Sequence, residues 1–225
     1  MKSILAIALL LVATGCTEVV PEADAPSPST VPPSAAVTAE PPAAAPSPAA
    51  TAVLSDTPNQ DLWSRLQQAD SHYFVLMRHA LAPGTGDPAN FQLADCTTQR
   101  NLSAAGREQA RQTGAIFRQQ EIVVTRVLSS QWCRCLETAE LLALGPVEPF
   151  APLNSFFRDR STRDAQTAKV RDFMRAQATP GVTVMVTHFV NIAALSDRNI
   201  ASGAMVILRL NDQDALEIVG QITIQ

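Results

Sequence analysis

The sequence predicts an α/β domain: a three-layer sandwich whose central sheet is mainly parallel and flanked by helices. Two observations predict it. Short, continuous apolar runs alternate with longer amphipathic stretches, as strands buried on both faces alternate with surface helices. Three of the apolar runs end on polar pairs, Arg78-His79, Ser129-Ser130 and Thr187-His188. In open sheets of this class, binding sites lie beyond the carboxyl ends of strands.

Taken in order, Tyr73–Met77 (YFVLM) has the length and continuity of a buried central strand and delivers Arg78-His79 at its end. Pro83, Gly84, Gly86 and Pro88 then exclude regular structure into the 90s. Ser103 is placed to cap a helix running to about Gln119, with Gly106, Ala110, Gly114 and Phe117 on one side, a small-residue face suited to close packing. Ile122–Leu128 reads as a second strand ending at Ser129-Ser130. A helix over about 131–144 follows and stops at Gly145-Pro146. Ala165–Ala178 is amphipathic through Val170, Phe173 and Met174 and predicts a third helix. Val182–Val186 (VTVMV) is a third buried strand ending at Thr187-His188. Two β-rich runs, Gly203–Leu210 and Leu216–Ile224, flank Asn211–Asp214 as a hairpin at the sheet edge.

The core-building part of the chain begins near Asn59, and residues 59–225 suffice for one domain. Residues 17–58 contain ten of the sixteen prolines and no glycine, aromatic residue, Lys or Arg, so they lack the apolar side chains that would offset the entropy of ordering. They read as an extended tether, at most ~120 Å long at ~3.1 Å per residue. Residues 1–16 have the layout of an export signal: Lys2, an apolar run from Ile4 to Ala13 too short to span a bilayer, then Thr14, Gly15 and Cys16. Val12–Cys16 resembles a lipobox, with Ala13 where Leu is preferred. Cys16 is therefore the expected lipidation site, and the expected location is the bacterial cell envelope, exported and anchored to a membrane on its periplasmic or outer side.

From Asn59 onward sixteen Lys and Arg balance sixteen Asp and Glu, so charge gives no support to a nucleic-acid partner. Export makes disulfides available to Cys96, Cys133 and Cys135. Cys133 and Cys135, two apart on a helix, face different ways, which leaves a bond from Cys96 to either of them, or three reduced cysteines packed as small apolar groups. A Cys-x-Cys pair and only three histidines, His72, His79 and His188, predict neither metal nor cofactor. His72 precedes the first strand, at its far end from His79, and reads as structural.

Leu76-Met77-Arg78-His79-Ala80, then Ser129-Ser130 through Arg134 to Glu137-Thr138-Ala139, then Val186-Thr187-His188, resembles the histidine phosphatase (phosphoglycerate mutase-like) superfamily, in family order over about 110 residues. The stretch from Arg78 to Gly84 looks most like the small envelope-associated branch that includes the heptose phosphate phosphatase of lipopolysaccharide. The resemblance implies a metal-independent phosphatase acting on a small phosphorylated substrate, an envelope phospho-sugar by class. Chemistry points the same way. Phosphoryl transfer is mostly positioning and charge neutralisation, suited to Arg78, Arg134 and His188, with Ser129 as a further phosphate contact, while His79 attacks phosphorus with one ring nitrogen. Arg100 and Asn191 are further candidate contacts.

One part of the pattern is missing. Relatives carry an acid in a Leu-x-Glu context after the Arg-bearing helix, whereas here Leu153-Asn154-Ser155-Phe156-Phe157 has none. Asp87 is the first candidate proton donor in its place, followed by Asp159 and Asp95, with a plain loop-stabilising role as the other reading of each. The departure also admits two other readings: an inactive phosphate-binding lipoprotein, or a phosphohistidine phosphatase acting on a protein, whose P–N leaving group needs less acid help.

Overall fold

The computed structural model describes residues 57–68 and 70–224. The export signal, Cys16 and the tether lie outside the described residues, apart from Thr57 and Pro58, which open helix α1 (Thr57–Gln68). Six strands form one sheet: β1 (His72–Arg78), β2 (Val124–Ser129), β3 (Val147–Pro149), β4 (Gly181–Thr187), β5 (Met205–Leu210) and β6 (Leu216–Ile222). The order is β3-β2-β4-β1-β5-β6. β1, β2 and β3 run parallel to their neighbours around β4, and the β5–β6 hairpin adds antiparallel to the β1 edge.

Period-2 alternation along β1 divides the core. Tyr73, Val75 and Met77 join Leu62, Trp63 and Leu66 of α1, Phe117 of α2 (Ala104–Gln119) and Cys135, Ala139 and Leu142 of α3 (Cys133–Leu142) on one face. Phe74 and Leu76 meet Val170 and Met174 of α4 (Arg163–Arg175) and Ile192 and Leu195 of α5 (Phe189–Ser196) on the other. The sandwich is thus the expected three layers.

Three elements were not expected. α1 follows a proline-rich stretch, β3 is only three residues long with a proline, and α5 (FVNIAALS) is too short and too uniformly apolar to show a helical stripe. α5 is a helix because it packs against the sheet, not because of its periodicity.

The small-residue face of α2 positions the loop that follows β1. A Cβ added at Gly106 would lie 2.1 Å from the Leu81 carbonyl oxygen, and one at Gly114 would lie 1.9 Å from that of Leu142. Ser103 caps α2, accepting from Gly106 N at 3.0 Å, and its own N–H donates to Leu81 O at 3.0 Å. The backbone just after His79 is thereby held against a helix.

Cys96 and Cys133 form a disulfide, with Cα atoms 5.7 Å apart, tying the loop after β1 to the first residue of α3. Cys135 points elsewhere and is buried and free. Closing a separation of 37 residues should stabilise the domain by roughly 2–4 kcal/mol. We expect Cys96→Ser to lower Tm by about 5–15 °C, read by thermal unfolding under oxidising conditions. An unchanged Tm would show that the crosslink is not formed.

Candidate active site

β1, β2 and β4 end side by side, and Arg78 together with residues just beyond the three strand ends lines one cavity. His79, Arg78, Arg134, His188 and Asp87 all lie on its wall. His79 leaves β1 with its N–H donating to the Thr187 carbonyl at 2.9 Å, which continues the β1–β4 ladder. His188 occupies the N-cap position of α5, directly after β4, with its side chain making no capping bond. Arg134 sits in the first turn of α3.

The hydrogen-bond partners decide both tautomers. His79 Nδ1 lies 2.8 Å from the Ala80 carbonyl, which can only accept, so Nδ1 carries the proton. Nε2 then holds a lone pair, to which Arg134 Nε donates at 3.3 Å. Arg134 Nη2 lies 3.4 Å from His188 Nδ1, and a guanidinium only donates, so His188 carries its proton on Nε2 and donates to Ser130 Oγ at 2.9 Å. The two imidazoles meet edge to face at 5.5 Å between centroids.

Burial, then the charge of Arg134, pushes His79 down to about 3 and His188 well below its ordinary value. Both rings are therefore neutral at pH 7. His188 serves as a hydrogen-bonding group and not as a cation. A depressed folded-state value means that below 6.5 the unfolded chain takes up protons that the folded chain does not, so stability is present above 6.5 and lost as the pH falls towards 3. We expect denaturant unfolding at pH 5 to show roughly 2 kcal/mol less stability than at pH 7.5 from His79 alone, with His188 adding to the loss. A flat profile between those pH values would refute the depression.

Asp87 requires a correction. As a proton donor it would have to be protonated, but its carboxylate accepts from Arg134 Nη1 at 2.6 Å and Nη2 at 3.2 Å, from Arg100 N at 3.2 Å and from Trp132 Nε1 at 3.1 Å. Burial alone would raise its pKa, but these hydrogen bonds and the Arg134 charge outweigh it and hold the carboxyl below the usual carboxylate range. Asp87 is thus an ionised clamp on Arg134. With Nη1 also reaching the Arg100 carbonyl at 3.3 Å, all five N–H groups of Arg134 have acceptors, and its Nε/Nη2 side faces the two histidines.

Arg78 is held by the Ile200 carbonyl at Nη1, 2.9 Å away, and stacks over Phe189 at 5.5 Å. Its buried Nε has no partner among the described residues, as befits a donor facing an anion site. Arg100 also lines the cavity, held by the carbonyls of Gly86 and Ala82.

Other expected contacts lie elsewhere. Ser129 is fully buried and does not line the cavity; its Oγ donates to the Ser130 carbonyl at 2.8 Å. Successive side chains at a strand end point to opposite sides, and it is Ser130 that meets His188. Asn191 is buried against the Asn154 carbonyl. Asp95 and Asp159 cap short 3-10 turns. Glu137 pairs with Arg107 at 2.5 Å and leaves Arg134 to the cavity. His72 bridges Thr179 O and Thr183 Oγ1, a structural role. The aromatic residues Phe91, Trp132, Phe157 and Phe189 on the cavity wall had no signal in the sequence, because single aromatics in loops or at a helix start look like ordinary packing residues.

Residues 74–156 match the model of the histidine phosphatase superfamily (branch 1). That span holds His79 and Arg134. Similar solved structures include the protein histidine phosphatase SixA complexed with tungstate (16% identity, TM-score 0.50, 67% of this chain and 96% of that one). A mycobacterial glucosyl-3-phosphoglycerate phosphatase complexed with VO3 is 15% identical, with a TM-score of 0.51 over 66% of this chain and 97% of that one. A phosphoserine phosphatase from Entamoeba histolytica, complexed with 3-phosphoglyceric acid, is 11% identical, with a TM-score of 0.51 over 69% and 98%. At these identities the structures establish the shared fold. No curated protein matches the sequence. The family model thus covers the part of the chain from β1 to the segment after β3, and the shared fold extends over about two thirds of the chain.

Proposed function

We propose that the protein is a metal-independent phosphatase that hydrolyses phosphomonoesters through a phosphohistidine on His79. The observation that carries this reading is the lone pair on His79 Nε2, held in place by the Nδ1–H bond to Ala80 O and facing the Nε/Nη2 side of Arg134. A phosphoryl group entering between the histidines offers oxygens to Arg134 Nε and Nη2, to Arg78 and to Arg100. The Arg134 Nε hydrogen bond then moves from the imidazole to the substrate and frees the nucleophilic lone pair.

In the first step Nε2 forms a bond to phosphorus, and the P–O ester bond breaks with its electron pair on the leaving oxygen. In the second, a water oxygen attacks phosphorus, the P–N bond returns its pair to Nε2, and inorganic phosphate departs with one of the water protons, the other passing to solvent. A phosphate-binding protein without turnover would have no use for a held imidazole lone pair.

The test is chemical. The full-length protein mixed with labelled 4-nitrophenyl phosphate and quenched in alkali should carry label that survives alkali and is lost in acid, mapping to His79. Turnover with no such label on His79 would reject the phosphohistidine route.

Export and anchoring belong to the same reading. The Lys2–Cys16 segment and the proline-rich tether support a domain held near a bacterial membrane by lipid on Cys16. Cys16→Ser should move the protein from the membrane to the soluble fraction; unchanged membrane association would reject lipidation.

A further inference from the structure

Two features of the cavity bear on the leaving group. The first concerns protons. Among the described residues, Asp87 is the only carboxylic acid on the cavity wall, and its two oxygens are occupied by four N–H donors. Its charge is needed against Arg134, so it has no proton to give. His188 already donates its one ring proton to Ser130 Oγ. The ester oxygen must therefore depart as an anion that is stable on its own.

The second feature concerns shape. Two aromatic pairs border the reacting groups. Phe91 stacks on Trp132 at 5.0 Å, and Trp132 meets His188 edge to face at 5.4 Å. Phe157 meets Phe189 at 5.7 Å, and Phe189 lies under Arg78. Phe157 is 38% exposed, an open apolar face at the site. A flat apolar group bonded directly to the bridging oxygen would lie among these rings.

We infer that the substrate class is an aryl phosphate, a phosphate ester of a phenol, whose ring is held by Phe91, Trp132, Phe157 and Phe189. The assignment rests on the phosphatase reading above. A phenol ionises near 10, as the tyrosine side chain does, whereas an alcohol is roughly as weak an acid as water. Phenolate therefore leaves without an acid; the alkoxide of a phospho-sugar does not. As the P–O bond breaks, its electron pair stays on the phenolate oxygen, which takes its proton from solvent after release. Edge-to-face and offset contacts with the aromatic walls hold the ring in line with His79 Nε2.

The experiment compares leaving groups on the full-length protein: phenyl phosphates of graded phenol acidity, glycerol 2-phosphate, acetyl phosphate and phosphoimidazole. General acids are commonly worth 10²–10⁴-fold, so kcat/KM for phenyl phosphate should exceed that for glycerol 2-phosphate by at least about 10²-fold. Phe157→Ala and Phe91→Ala should each lower the ratio of phenyl phosphate to acetyl phosphate kcat/KM by about three- to tenfold. Acetyl phosphate is the control because it carries no ring. Comparable rates for the phenyl and glyceryl esters, or a ratio that neither variant moves, would overturn the aryl assignment while leaving the phosphatase reading intact. Faster turnover of phosphoimidazole than of any phenyl ester would overturn it in favour of a P–N substrate. No hydrolysis of any of the four would overturn both.

Discussion

His79→Ala should lower kcat/KM for an activated phosphate ester by at least about 10³-fold, the loss typical of removing a nucleophile whose role no neighbour can assume. No neighbour can. His188 directs its Nε2 proton at Ser130 Oγ and offers a lone pair only at Nδ1, the ring nitrogen next to its own backbone. The Cys135 thiol is 3.5 Å from His188, but burial pushes it up to about 12, so it carries no thiolate. The variant should keep its circular dichroism spectrum, because the removed ring bonds only the adjacent Ala80 carbonyl and Arg134 Nε. It carries a second signature. Deleting a buried neutral histidine removes one of the groups that make the fold acid-labile, so its stability should fall less steeply than that of the wild type between pH 6.5 and pH 4. A variant hydrolysing at the wild-type rate would end the nucleophile assignment, whatever its stability.

Asp87→Asn is the second large effect, and its pattern separates a clamp from an acid. The substitution is nearly isosteric but places an NH2 group where Arg134 Nη2 and Trp132 Nε1 also donate. It leaves Arg134, 3% exposed, without its counter-charge. Breaking one side of a buried ion pair costs about 3 kcal/mol or more in stability. Loosening the Nε/Nη2 face that Arg134 turns to the histidines should lower kcat/KM by about 10²-fold, the cost of misplacing a positioning group. As a clamp, Asp87 contributes equally to every ester, so the loss should be the same for 4-nitrophenyl phosphate and for an alkyl phosphate. Loss confined to the alkyl ester would instead make Asp87 a proton donor, and the pairing with Arg134 a resting arrangement.

Much of the fold could be read because burial on both faces of a sheet writes itself into composition. β1 carries the unbroken apolar run Tyr73–Met77 and β4 is buried along its whole length, while the apolar run of β2 is interrupted by Thr125 and Arg126; the cavity wall begins at or just beyond the ends of these strands. Helix α2 was visible through its cap and its glycine face. Helix α5 and strand β3 were not, since elements this short obtain their stability from neighbours and leave no period behind.

By itself the sequence determined the three layers and the placing of Arg78, His79, Arg134 and His188 at strand ends or on the helix that follows, because strands buried on both faces read as apolar runs and parallel strands bring their carboxyl ends to one edge of the sheet. It left Cys96 with two possible partners and Asp87 with two possible roles. Tertiary structure decided those. The disulfide goes to Cys133, since that side chain faces the loop while Cys135 faces the core. The carboxylate of Asp87 reaches Arg134, 47 residues away, and is thereby kept ionised. It is Ser130, not Ser129, that meets His188, and four aromatic rings from separate segments share one wall. Each of these depends on the direction of a side chain across a long chain separation, and local composition and spacing carry no information about direction over that range.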